Sequence, residues 1–108
     1  MTVAELAEKL GAKVICLPNG EREVSSGYVG DLLSWVMGRA PADSAWVTIM
    51  SNINVVAVAS LADVACVIFS EDVMPDADAL EKAQKEGINL LSVSLGSFET
   101  CAKLSELV

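Results

Sequence analysis

The residues able to do chemistry are hydroxyls, amides and carboxylates in short clusters: Ser25-Ser26-Gly27, Ser51-Asn52 with Asn54, the single hydroxyls Ser70 and Ser94, and the acid pair Glu71-Asp72. Hydroxyls, side-chain amides and the free N–H groups of a helix N-terminus suit an anionic small molecule such as a nucleotide. Arg22, Ser25, Ser26, Gly27, Ser51, Asn52 and Asn54 are therefore the candidate ligand-binding residues, expected to converge on one rim of a sheet. The plain alternative is that Ser51, Asn52 and Ser94 only cap helices. Adjacent acids past a strand can hold Mg²⁺, and equally stand as solvated loop acids.

The chemistry that is missing narrows the choice. The chain has no histidine, which removes the commonest general base and zinc ligand. Cys16, Cys66 and Cys101 are scattered, form no CxxC pair and lie among apolar neighbours, as buried free thiols do. Neither a GxxxxGK[ST] loop nor a GxGxxG fingerprint occurs. We expect no catalytic residue, no metal and no cofactor. Catalysis is left with one reading, a small enzyme working through carboxylates such as Asp31 or Glu71.

These clusters must be held by the elements between them. Ala45 to Ser70 carries two apolar runs, Val47 to Met50 and Cys66 to Phe69, around a longer apolar segment opened by Ser51-Asn52. Short β-branched runs suit strands buried on both faces, and the spacing predicts a helical crossover over Ile53 to Leu61 between parallel strands. That segment is apolar almost all round, so it is either a helix covered on both sides or, given the β propensity of Val55 to Val58, a strand.

Elsewhere, Thr2 with Glu5 fits a capping box and Gly11 a helix stop. Lys13 to Leu17 reads as a strand and Pro18-Asn19-Gly20 as a turn. Val24 starts a short extended segment that Gly27 and Gly30 break. Asp31 is placed to cap a helix over Leu32 to Met37, ended by Gly38. Asp76 to Glu86 is a helix stopped by Gly87, Ile88 to Val93 contains the last strand, and a final helix runs to about Leu107 with Phe98, Cys101, Ala102 and Ser105 on one face. The alternation predicts an α/β fold: three layers, a mostly parallel sheet of about four to five strands, and helices on both faces. Residues 1–108 make one domain.

The net charge of −8, from 15 acids and 7 bases, excludes the clustered cations that nucleic acid or an anionic membrane surface requires. The N-terminus lacks a signal peptide's basic start and apolar stretch, and no apolar run reaches membrane-spanning length. A cytoplasmic location is expected. An apolar helix that the chain cannot cover calls for a second subunit. Ile53, Val56, Ala57, Ser60 and Trp35 are the candidate interface of a homodimer, and Trp35 with the acidic surface could instead dock the chain into a larger enzyme complex.

Two stretches together resemble the DRTGG domain family. They are Arg22-Glu23-Val24-Ser25-Ser26-Gly27-Tyr28-Val29-Gly30-Asp31-Leu32-Leu33-Ser34 and Asn54 to Asp63, NVVAVASLAD. Cys66 to Leu104 is similar to the related amino-terminal domain of HPr kinase/phosphorylase. Ser26 stands where the family often has a glycine, and Glu21 where an Asp is common. The resemblance implies a three-layer α/β fold and a regulatory or association module, of the kind found beside CBS domains in some family II pyrophosphatases. If the family's glycine serves close backbone approach to a ligand, Ser26 stands against ligand binding at this segment.

Overall fold

The computed structural model describes all residues, 1–108. The first helix, α1 (Val3–Leu10), starts where the sequence says it must. Thr2 Oγ1 accepts the Glu5 amide at 3.2 Å, the Glu5 carboxylate accepts the Thr2 amide at 2.9 Å, and Gly11 closes the helix at φ 64°. Val3, Leu6, Ala7 and Leu10 then fall on one buried stripe.

Beyond α1 the chain gives β1 (Lys13–Cys16), β2 (Ser26–Val29), α2 (Leu33–Arg39), β3 (Ser44–Thr48), α3 (Ile53–Ala62), β4 (Cys66–Phe69), α4 (Ala77–Glu86), β5 (Leu90–Ser92) and α5 (Ser97–Leu107). The sheet runs in the order β1-β5-β4-β3-β2. Only β1 is antiparallel, against β5. The parallel register pairs Ser26 with Ser44, Ala45 with Cys66, and Val67 with Leu90. β3 and β4 are buried at every position, as strands with helices on both faces must be.

Two cores follow from strand alternation. One gathers Trp46, Val67, Phe69 and Leu90 under α2, α3 and α4. The other gathers Ala45, Val47, Ile68 and Leu91 under α1 and α5. The three-layer architecture is thus the expected one, with five strands.

The apolar crossover is a helix. Asn52 caps it by accepting the Asn54 amide at 2.9 Å, and Asp63 ends it in the left-handed conformation. The sheet lies beneath it, and α2 and α4 flank it. Val55, Val56, Val58 and Ala59 are buried, whereas Leu61 is 72% exposed. The β-branched run stays helical because parallel strands on either side demand a crossover, and tertiary packing overrides propensity.

Three local expectations are corrected. Gly27 sits inside β2 and does not break it. Asp31 does not cap α2: its carboxylate accepts Thr48 Oγ1 at 2.7 Å and the Ile49 amide at 3.0 Å, tying β2's exit to β3's. Helix α2 begins after Leu32 with no side-chain cap, and it runs through Gly38 to Arg39.

Burial pushes all three thiols above their ordinary value of 9.0, Cys66 up to about 12. The thiolate is the reactive form. At pH 8.5 we expect a maleimide reagent to label the half-buried Cys101 first and to leave Cys66 untouched until denaturant is added, as read by peptide mass spectrometry. Native labelling of Cys66 at the Cys101 rate would contradict this packing.

Candidate functional site

Strand β2 is an edge: it pairs with β3 on one side and with no strand on the other. Alternation turns Ser26 and Tyr28 towards the α2–α4 layer, where Tyr28 packs on the first core. Gly27 and Val29 face α5. A Cβ at Gly27 would lie 2.8 Å from Leu104 Cδ2, so the absence of a side chain is what lets α5 settle on the edge strand. Between the strand edge and α5 runs an open groove of about 360 Å³, lined by Ser25, Gly27, Tyr28 and Val29 on one wall and by Cys101, Leu104, Ser105 and Val108 on the other. Ser26 borders it along the strand. None of the lining side chains is charged.

The structure splits the candidate ligand residues. Ser25, Ser26 and Gly27 lie at the amino end of β2, beside the groove. Ser51, Asn52 and Asn54 follow the carboxyl end of β3, a strand of five residues, so about 16 Å of sheet separates the two groups. The single rim expected from the sequence does not form, because β2 begins at the serines and does not end there. Ser51 Oγ donates to Asp76 at 3.2 Å, and Asn52 is the cap of α3. Ser70 and Ser97 share a hydrogen bond of 2.7 Å.

Arg22 is committed elsewhere. Its Nε and Nη2 donate to Asp43 Oδ1 at 3.1 and 2.8 Å, and Nη2 also reaches the Asp63 carbonyl at 2.7 Å and Asp63 Oδ1 at 2.9 Å. Burial works against its charge, and the hydrogen bonds to both carboxylates more than offset that, so its pKa rises. The guanidinium is a clamp across three loops. Its Nε–Nη2 edge is taken up by these bonds and is closed to an anion.

The proposed interface residues also separate. Val56 is wholly inside the core and cannot meet a partner. Ile53 and Ala57 are half-buried between helices, and Ser60 is exposed. Trp35 is 52% exposed, with the Arg39 guanidinium stacked 3.7 Å from its ring centre. Among the polar residues, no group of three His, Cys, Asp or Glu side chains is placed to hold a metal ion. No helix is long and apolar enough to cross a membrane.

Sequence reasoning did not select Tyr28, Val29, Leu104 or Val108. The stripe Phe98, Cys101, Ser105 was visible in α5, but the residues that bury it are Thr100 and Leu104, and Phe98 is 86% exposed. Helical spacing found the stripe without saying which way it faced.

Together these elements define a small three-layer α/β domain with an open groove at one sheet edge. The family model of the DRTGG domain matches residues 5–107, and the chain belongs to that family. No curated protein sequence matches it. Among solved structures it is similar to the CBS and DRTGG domains of the regulatory region of Clostridium perfringens pyrophosphatase, complexed with the activator diadenosine tetraphosphate. The TM-score is 0.78 at 11% identity, over 95% of this chain and 45% of that one. At that identity the likeness shows the fold, and this chain spans less than half the length of that regulatory region.

The close contact between Gly27 and Leu104 is measurable. Gly27→Ala should cost about 1–3 kcal/mol by overpacking, and Leu104→Ala about 2–5 kcal/mol by cavity formation. In a denaturant double-mutant cycle the glycine change should cost less in the Leu104→Ala background, with a coupling of at least about 0.5 kcal/mol. Strict additivity would mean that α5 does not press on β2. Arg22→Gln should destabilise the chain by about 1.5–3 kcal/mol, read as a lower denaturation midpoint with unchanged slope. An unaltered midpoint would free Arg22 for another role.

Proposed function

We propose that this chain is a non-catalytic, cytoplasmic regulatory module that acts through binding at the β2–α5 groove. The observation that carries the reading is the contrast between the two kinds of site. Arg22, Asp31, Ser51 and Asn52 are engaged in bonds that hold the fold. The groove beside Ser25–Val29 is open and mainly apolar, with no charged side chain. Membership of the DRTGG family and likeness to an enzyme's regulatory region support the same reading.

A nucleotide-class ligand is supported by the activator named for the pyrophosphatase regulatory region. The groove fits such a ligand through its base. A flat ring finds apolar walls at Val29, Cys101 and Leu104, and its polar edge finds the hydroxyls of Ser25 and Ser105. No lining cation holds phosphate, so the phosphates point to water or to another domain. The Lys82–Lys85 side of α4 is no better a cradle, since Asp78 and Glu81 sit among those lysines.

The test is calorimetric titration and thermal shift with adenosine, AMP, ATP and diadenosine tetraphosphate, beside sedimentation of the free chain. We expect self-association at micromolar concentration. A ligand at a hundred times its Kd should stabilise by about 2.7 kcal/mol, and Ser105→Trp, which fills the groove, should abolish that shift. A strictly monomeric chain with no shift from any nucleotide would overturn the reading.

A further inference from the structure

The two edges of the sheet are treated differently. Edge β1 carries Lys13 and an irregular register between Val14 and Cys16, both of which discourage a further strand from pairing. Edge β2 reads Ser-Gly-Tyr-Val, in regular register over all four residues, with no lysine, no proline and no bulge. An edge strand presents unpaired N–H and C=O groups on its outer side, and natural sheets blunt or cover such edges. This one is left bare.

The surroundings of that edge say what covers it. Val29 is 53% exposed beside it. Val108, just past the end of α5, is 37% exposed. No side chain lining the groove between them is charged, in a chain carrying −8. Two copies of so acidic a chain repel one another over most of their surfaces, and the β2–α5 face, free of charged side chains, is where they meet without that cost.

We infer that the occupant of this edge is a second copy of the same chain, its β2 antiparallel to the first across a two-fold axis. The pairing is isologous, so each copy supplies the same strand and the same helix stripe. It joins two five-stranded sheets into one of ten strands and satisfies the outward backbone groups of both edges. It also closes the open side of the groove, which is incomplete in a single chain. This inference rests on the regulatory reading above and replaces α3 with β2 and α5 as the dimer face.

The experiment is light scattering on the full chain with exposed-residue variants. The native chain should have twice its 11.3 kDa mass. Val29→Lys and Ser105→Arg should each halve that mass with unchanged circular dichroism, while Leu61→Lys on the outer face of α3 should leave it doubled. Hydrogen exchange supplies a second readout: amides of residues 26–29 should gain protection as concentration rises. A doubled mass that survives Val29→Lys and Ser105→Arg, or falls with Leu61→Lys alone, overturns this inference and leaves regulation by association standing. Exchange at residues 26–29 that ignores concentration also overturns it, and assigns the edge to a different strand donor. A monomeric native chain overturns it outright; if a nucleotide still raises the melting temperature, the ligand half of the proposed function survives.

Discussion

The position of the edge strand depends on one guanidinium. Arg22 gathers the loop before β2, the loop before β3 and the end of α3 into a single set of charge-assisted hydrogen bonds. Its two carboxylate partners, Asp43 and Asp63, hold left-handed backbone at φ 63° and 57°, an arrangement that costs a non-glycine residue of order 1 kcal/mol or more. The loops keep that conformation because the bonds converge. Asp43 donates its amide to the Asp63 carbonyl, and Ser25 donates its amide to Asp43, so the clamp extends directly into the first residue of the β2 approach. The arginine's own carbonyl accepts the Val3 amide, which fastens α1 to the same knot.

With the amino end of β2 fixed, the rest of the edge is shaped by two close approaches. Trp46 spans the first core and donates Nε1–H to the Gly30 carbonyl at 2.9 Å, pinning the far end of β2. Gly27 in the middle yields its side-chain space to Leu104. The helix therefore approaches the strand closely at Gly27, and the groove opens beside that contact between Val29 and Val108. A larger residue at Gly27 would lift α5 and change the groove's width as well as the core's packing. Ser26 and its register partner Ser44 each bury a hydroxyl without a protein partner, on the opposite face of the sheet from this contact.

Much of the fold was legible because its signals are local or periodic. The Thr2–Glu5 box, the helix stops at Gly11 and Gly87 and the apolar runs of β3 and β4 need only neighbours in sequence to be interpreted. The Ser25–Gly27 segment was marked out by type, and it does border the groove. What could not be read are facts of direction. Strand β2 contains Gly27 because of Leu104, 77 positions later, and no window of sequence holds both. Asp31 looked like a cap because it precedes a helix, yet a threonine 17 positions on takes its carboxylate. Arg22 looked free because its partners are 21 and 41 residues away. Ser25 and Asn52 were grouped because both border strands, but chain polarity puts one before its strand and the other after.

Topology explains why the usual crevice of an open α/β sheet is missing here. In open α/β sheets ligands settle beyond the carboxyl ends of strands where the strand order reverses, since neighbouring crossovers there go to opposite faces and part the loops. Here β2, β3, β4 and β5 succeed one another across the sheet in a single direction. Their three crossover helices all lie on one face, as crossovers of a common hand require. No reversal occurs within the parallel strands, so no loops are parted. The carboxyl-end loops carry Asp31, Glu71, Asp72 and Asp76, a composition that opposes an anion further. The other face is covered by α1 and α5, neither of them a crossover between parallel strands. Helix α5 reaches the edge strand through the Gly27–Leu104 contact, and the groove lies beside that contact.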